Sequence, residues 1–260
     1  MLRVFALLIA SLVLAGSAPA QQSPCEAVPA SASCLLLDDF ESYSAGDPPF
    51  KWRTDKSRDK LIPLTAPGAM DDRQNFYVRS EDGNNFVRGY TRDQAFRLIL
   101  SSEDNLHWNV EDRPYLRWKW RAKRLPAGAN EKRDNTNDTG GAVYVTFDKN
   151  WLGFPRSIKY TYSSTLEPGT TVDYGSLKVL VVASKADQGT GQWIAHERNV
   201  IKDYKRLFGG EPDKSPLALM LWSDSDTMDD TAIVDFDDIM VLSEPTLGSR
   251  TVSSKRRTAQ

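Results

Sequence analysis

Eleven short runs of strand-forming residues, separated by turn residues and with little sustained helical periodicity, constrain this chain more than any other feature of it. The runs are Leu35 to Phe40, Phe76 to Arg79, Phe86 to Tyr90, Phe96 to Leu100, Tyr115 to Arg121, Ala142 to Phe147, Ile158 to Ser163, Leu177 to Ala183, Trp193 to Asn199, Leu217 to Trp222 and Ile233 to Leu242. Turn signals such as Asp82-Gly83-Asn84, Glu167-Pro168-Gly169 and Gly189-Thr190-Gly191 lie between them. Strands patterned this way bury their apolar faces by packing one sheet on another, so an all-β, two-sheet sandwich is expected. At 260 residues and 40% apolar, the chain suits one domain with one core. A single segment departs from the pattern: Val200, Tyr204, Leu207 and Phe208 share one helical face, and Gly209-Gly210 can end a short helix that covers an open end of the sandwich.

Residues 1–20 read as a signal peptide: Arg3, then apolar runs too short for the roughly 20 residues of a membrane span, then Ala18-Pro19-Ala20. No later segment is long and apolar enough to cross a bilayer, which places the mature chain in the periplasm or outside the cell. Export makes Cys25 and Cys34, the only thiols, partners in a disulfide worth roughly 2–3 kcal/mol on a chain-entropy account. The chain then divides into an N-terminal arm over 21–34, a sandwich domain over 35–245, and a polar, disordered tail over 246–260 with Lys255, Arg256 and Arg257.

Charge and motif content exclude much chemistry. The formal net charge is -2, and removing a segment whose only charge is Arg3 makes it more negative, which argues against nucleic acid as a partner. Two cysteines and two histidines cannot build a Cys₄ zinc site or a His-rich metal centre. Gly-x-Ser-x-Gly, phosphate-loop and His-Glu-x-x-His signatures are absent. A strand sends His196 and Glu197 to opposite faces, and His107 falls in a turn, so neither histidine reads as catalytic.

Carboxylates are the richest chemical resource. Asp224-Ser225-Asp226-Thr227-Met228-Asp229-Asp230 suits a hard cation, yet it lacks the glycine and distal glutamate of an EF-hand, and a solvated acidic turn is expected. Asp38, Asp39 and Glu41 near the start and Asp235, Asp237 and Asp238 near the end would face one another if the terminal strands pair. A structural calcium ion, splaying of the side chains into solvent, or arginines such as Arg53, Arg58 or Arg79 would resolve this. No other cofactor is called for. Tyr115 to Arg121 sends Leu116, Trp118 and Trp120 to the core and Tyr115, Arg117, Lys119 and Arg121 to the other face. With Tyr144, Thr146, Lys159 and Thr161 from neighbouring strands, that face would offer cations and stacking rings to a glycan or another acidic ligand. Trp151 is expected on a loop.

Several short motifs carry a family resemblance: Asp38-Asp39-Phe40-Glu41; Trp118-Lys119-Trp120-Arg121 followed by Leu125-Pro126-Ala127-Gly128-Ala129-Asn130-Glu131; Val143-Tyr144-Val145-Thr146-Phe147; Tyr162-Ser163-Ser164; Glu197-Arg198-Asn199-Val200; Asp203-Tyr204; Phe208-Gly209; and Asp237-Asp238-Ile239. Over residues 35–242 the chain resembles the DUF3047 family of exported bacterial proteins of unknown function. The family's late loop, Thr-Asp-Thr-Asp-Asn-Thr, corresponds to Ser223-Asp224-Ser225-Asp226-Thr227-Met228, with both aspartates kept. More distantly the family is similar to jelly-roll sandwiches of the carbohydrate-binding kind. The resemblance implies a jelly-roll-like fold with first and last strands side by side; it supplies no activity.

These observations point to an exported, non-catalytic binding protein for a glycan or other cell-envelope component. Tyr115, Arg117, Lys119, Arg121, Tyr144, Asp224 and Asp226 are the candidate ligand-binding residues. A carbohydrate-active hydrolase or lyase using loop carboxylates, and a structural envelope protein, are the alternatives.

Overall fold

The computed structural model describes residues 22–247 other than 58–59 and 151; the segment read as a signal peptide, Arg58, Trp151 and the tail beyond Leu247 lie outside the described residues. The strands in chain order are β1 (Cys34–Asp38), β2 (Arg53–Ser57), β3 (Lys60–Pro63), β4 (Gln74–Glu81), β5 (Asn84–Arg92), β6 (Ala95–Ser101) and β7 (Tyr115–Arg124). They continue with β8 (Gly141–Lys149), β9 (Pro155–Ser163), β10 (Thr171–Tyr174), β11 (Leu177–Ser184), β12 (Ile194–Asn199), β13 (Ala218–Asp224) and β14 (Thr231–Leu242). Two helices, α1 (Lys185–Gln188) and α2 (Val200–Phe208), interrupt them. Every one of the eleven expected runs overlaps a strand; β2, β3, β10 and α1 are additional.

The strands form two sheets, a jelly-roll-like β-sandwich. One has the order β12-β7-β14-β5-β4, with β1 also on β14; the other has eight strands in the order β10-β11-β9-β8-β13-β6-β2-β3. Pairing is antiparallel except between β11 and β9. Because β7 occupies one edge of β14, β5 and β1 share its other edge: β5 pairs with the first half and β1 with the second. The first and last strands therefore lie side by side.

Alternation decides what enters the core. Leu116, Trp118 and Trp120 of β7 and Val234 and Phe236 of β14 meet Val143, Val145 and Phe147 of β8 and Tyr160 and Tyr162 of β9 across the sandwich. Removing this much aromatic and aliphatic surface from water is the main stabilising term. Helix α2 starts at Asn199, whose side chain accepts from the Lys202 N–H at 2.9 Å, and its Val200 and Tyr204 join the core. Gly209, at φ 73°, ends it.

Cys25 and Cys34 are joined, tying the arm to the first residue of β1. Thr246 and Leu247 are also tied down, because the Glu197 carboxylate accepts from both backbone N–H groups. Among the described residues no helix is long and apolar enough to cross a membrane.

The terminal pairing brings early and late acids together only in part: Asp38 does not face an acid, whereas the Glu41 carboxyl, just past β1, is pushed up by burial, by Asp39 and by Asp238. In the register of β1 with β14, Asp38 lies opposite Ile239. Its buried carboxylate accepts from Tyr43 Oη and Trp52 Nε1, both at 2.8 Å, and from the Phe40 N–H at 3.0 Å. Burial pushes its pKa up against those hydrogen bonds. Of the arginines expected to compensate the late aspartates, Arg53 instead pairs with Asp104. Arg88 and Arg121 pair with Asp235, and Lys119 with Asp238.

Candidate ligand-binding site

Strand β7 presents Arg117, Lys119 and Arg121 on the outer face of its sheet, as alternation requires. Its neighbours bring a carboxylate opposite each: Asp235 pairs in register with Arg121, Asp237 with Lys119, and Glu197 of β12 with Arg117. Arg121 donates from Nε to Asp235 at 2.9 Å and from a terminal nitrogen to Glu81 at 2.6 Å. Arg88 grips the fully buried Asp235 with two further bonds of 2.6 and 2.9 Å. Lys119 pairs with Asp238. Arg117 donates to Thr246 Oγ1 at 2.8 Å, a hydroxyl that in turn donates to Glu197 at 2.6 Å. The expected row of three cations is a ladder of charge pairs across strands.

A break in that ladder opens the site. Between Asp237 and Met240 the register of β14 against β7 slips by one residue, and Asp238 adopts φ 48°, the left-handed region unusual for a side-chain-bearing residue. The slip coincides with the place where β5 gives way to β1 along β14. Asp238 takes Lys119, and Asp237 is left buried with the Asn84 amide donating to it at 3.0 Å. Burial and the adjacent Asp238 push the Asp237 carboxyl up to about 8.

A cavity of about 350 Å³ lies over this point, lined by Glu81, Asp82, Asn84, Phe86, Lys119, Arg121, Trp193 and Asp237. The β4–β5 hairpin places Glu81 opposite Asn84, with Asp82 and Gly83 both at positive φ (54° and 82°), the backbone a two-residue hairpin turn demands. Gly191 donates its N–H to the Ala122 carbonyl at 2.7 Å, which holds the approach to Trp193 against β7. Trp193 is half-buried and meets Phe86 edge-on, with centroids 5.3 Å apart. The Arg121 guanidinium lies 4.7 Å from the Trp193 ring centroid. Its hydrogen bond holds Glu81 below the usual carboxylate range. One pocket thus combines an aromatic wall, an amide, two cations, an ionised carboxylate and a carboxyl that keeps its proton near neutrality.

The other candidate residues lie across the core. Tyr144, Thr146, Lys159 and Thr161 belong to β8 and β9 of the eight-stranded sheet, so they are not neighbours of β7, and Tyr144 cannot stack a ligand held by Arg117 and Lys119. Tyr115 is outside the pocket lining as well. Alternation orients a side chain on its own strand; it carries no information about which sheet that strand joins. Glu81, Asp82, Asn84, Phe86, Trp193 and Asp237 are the lining residues missed as site residues. The Asp82-Gly83-Asn84 turn signal was a local clue to the hairpin end of the pocket, and Asp237 stood in the late acidic cluster.

On the eight-stranded sheet Lys159 is buried, 5.5 Å from the Tyr144 ring centroid and 3.9 Å from Asp224. Tyr144 lies 5.1 Å from Trp222, over which the Arg97 guanidinium sits at 4.8 Å. Asp224 is not the solvated turn residue expected: it is 9% exposed, and burial, with Asp138 and Asp226 adding to it, pushes its carboxyl to about 7 against the pull of Lys159. Asp226 and Asp229 do remain exposed. Carboxylate oxygens of Asp138, Asp224 and Asp226 lie within 4.8 Å of one another, the one set of possible cation ligands found among the described residues. His196 packs between Trp118 and Trp120, with centroids 5.5 and 5.3 Å away, and His107 is exposed on a loop.

The family described as "Protein of unknown function (DUF3047)" matches residues 64–240. No curated protein sequence matches the chain. Among solved structures, the family 11 carbohydrate-binding module of a cellulosomal cellulase from Clostridium thermocellum is similar at 10% identity and a TM-score of 0.39, over 80% of this chain and 94% of that one. A family 27 module from Caldicellulosiruptor saccharolyticus, solved with mannohexaose, is similar at 10% identity and a TM-score of 0.38, over 82% of this chain and 99% of that one. An exo-beta-agarase structure is similar at 10% identity and a TM-score of 0.39, over 81% of this chain but 25% of its own.

Proposed function

The chain belongs to the DUF3047 family, and from that premise we propose that it is an exported binding protein that holds a glycan, with an acidic sugar as the preferred class, in the pocket beside Trp193. The observation that carries this reading is the convergence of Trp193 and Phe86 with Asp237, Asn84, Lys119 and Arg121 around one cavity. A sugar ring has an apolar face of C–H groups and an edge of hydroxyls. The indole and phenyl rings suit the first, the amide and carboxyls the second. A carboxyl titrating near 8 donates a hydrogen bond at neutral pH, whereas Glu81 accepts one. Lys119, with its side chain 40% exposed, is placed to meet a uronate, although its pairing with Asp238 and screening by salt keep that contribution small. Export rests on the signal-peptide reading of residues 1–20, with which the Cys25–Cys34 bridge is consistent.

Titration calorimetry of the purified chain against uronate-containing and neutral oligosaccharides tests this. Binding is expected to weaken about tenfold or more in Trp193→Ala, the loss of roughly 1.4 kcal/mol. Undiminished binding in that variant removes the reading. A second reading, hydrolysis or elimination, is favoured by one observation: Glu81 and Asp237 in the same pocket are pushed in opposite directions, the division of labour that acid–base pairs use. Release of new sugar ends by the wild type, lost in Asp237→Asn while binding persists, would establish it.

A further inference from the structure

We propose that Asp138, Asp224 and Asp226 bind a calcium ion that clamps the loop before β8 to the loop after β13. The three carboxylate oxygens lie within 4.8 Å of one another. Calcium binds oxygen at about 2.3–2.6 Å, so ligands on opposite sides of one ion are separated by about 4.6–5.2 Å. The cluster has the span of a calcium coordination sphere, and its donors are all hard oxygens.

The second observation is an orphan. Asp224 is nine-tenths buried, and its Oδ1 has no hydrogen-bond partner. A buried acceptor left unsatisfied costs about 1–3 kcal/mol, more when charged, and such groups are rare in folded proteins. The nearest cation, Lys159, lies beyond hydrogen-bond reach at 3.9 Å and on the other oxygen, Oδ2. Three carboxylates thus face one ammonium. A divalent ion on the Oδ1 side supplies the missing partner and balances the remaining charge.

The surroundings hold the ligands in place. Asp138 accepts from the Thr227 and Met228 N–H groups at 2.9 and 2.8 Å, so its carboxylate is fixed against the opposing loop before any ion arrives. Thr227 Oγ1 lies 3.2 Å from Asp226 Oδ1 and 3.0 Å from Asn137 Oδ1, with one proton to donate to either, which brings a neutral oxygen next to the cluster. Water completes the six to eight ligands calcium takes, whereas magnesium demands a tighter octahedron and gives up its own water reluctantly. The site lies on the eight-stranded sheet and the pocket beside Trp193 on the other, so the ion acts on stability and is independent of the glycan reading.

The test is calorimetric titration of chelator-treated protein with calcium chloride, with magnesium chloride as the comparison, alongside thermal melting. One calcium site with a Kd on the order of 10⁻⁴ to 10⁻³ M and a raised Tm is expected, with a weaker magnesium response. Asp226 is exposed, so Asp226→Asn leaves folding intact and weakens calcium binding about tenfold or more, since affinity follows ligand charge. Asp224→Asn abolishes the response. Asp229→Asn, the same change of charge in the same loop but outside the trio, preserves it. No heat and no shift in Tm up to about 10 mM calcium, well above the expected Kd, overturns the proposal. So does calcium binding by Asp226→Asn that is as tight as in the wild type.

Discussion

The outer faces of the two sheets use the same residue types to opposite effect. On the six-stranded sheet, Arg117, Lys119 and Arg121 of β7 each lie opposite a carboxylate of the adjoining strand, and the buried Asp235 is gripped by two arginines. On the eight-stranded sheet, three carboxylates gather together with a lysine near one of them, and one oxygen of Asp224 has no partner. A balanced ladder is a structural device, because its charges are used up internally. A cluster with charge left over is poised for something outside the chain. Asp237 is the exception within the ladder, since its cross-strand lysine is taken by Asp238, and it is the residue under the pocket.

Four measurements break or sharpen this contrast. The largest effect is expected from pH. Asp237 titrates near 8 in the folded protein against 3.8 for an ordinary aspartate, so the folded state holds a proton that the unfolded chain releases. Its stabilising contribution is complete below about pH 4 and is lost as pH rises to about 8, on the order of 5 kcal/mol in all, and Asp237→Asn removes this slope from urea melts. A wild-type and variant pair with parallel pH profiles would return Asp237 to the balanced ladder.

Asp235→Asn leaves Arg121 and Arg88 short of a charge and should destabilise by about 3–5 kcal/mol in the same melts. The matching change across the core has the other sign. In chelator, Asp224→Asn relieves the burial of an ionisable carboxyl and its repulsion from Asp138 and Asp226, against the lost attraction to Lys159, and should stabilise by about 1 kcal/mol. If both substitutions destabilise, the two faces do not differ as described. Smallest is Lys119→Ala: the lysine end of its pair with the buried Asp238 is partly exposed, so the pair is worth about 1 kcal/mol at most, read as a slight fall in Tm that shrinks further at high salt.

Much of this architecture was legible before any coordinates. Eleven runs gave eleven strands because each carries enough apolar residues to announce its buried face. The three strands without such a signal are short and at sheet margins: β2 (Arg-Thr-Asp-Lys-Ser), β3, which ends in Pro63, and β10, largely exposed. They are strands because an ordered neighbour offers them a ladder to join. The helix from Val200 to Phe208 was visible through its one apolar face and its glycine stop.

The candidate site divides along the same line. Which face of β7 carries Arg117, Lys119 and Arg121 follows from a period of two and is a property of the strand alone. Whether those cations are free depends on register. That register is set by a one-residue slip in β14, more than a hundred residues away in sequence. The acidic loop 224–230 was recognisable as a place where a hard cation could bind. Its decisive partner, Asp138, comes from a loop the sequence does not connect to it, and only the packing of that loop buries Asp224. Patterning is local and survives in the linear chain, because hydrophobic burial acts on each strand separately. Charge pairing and ligand geometry act over a few ångströms between strands, and those distances exist only once the sheets have formed.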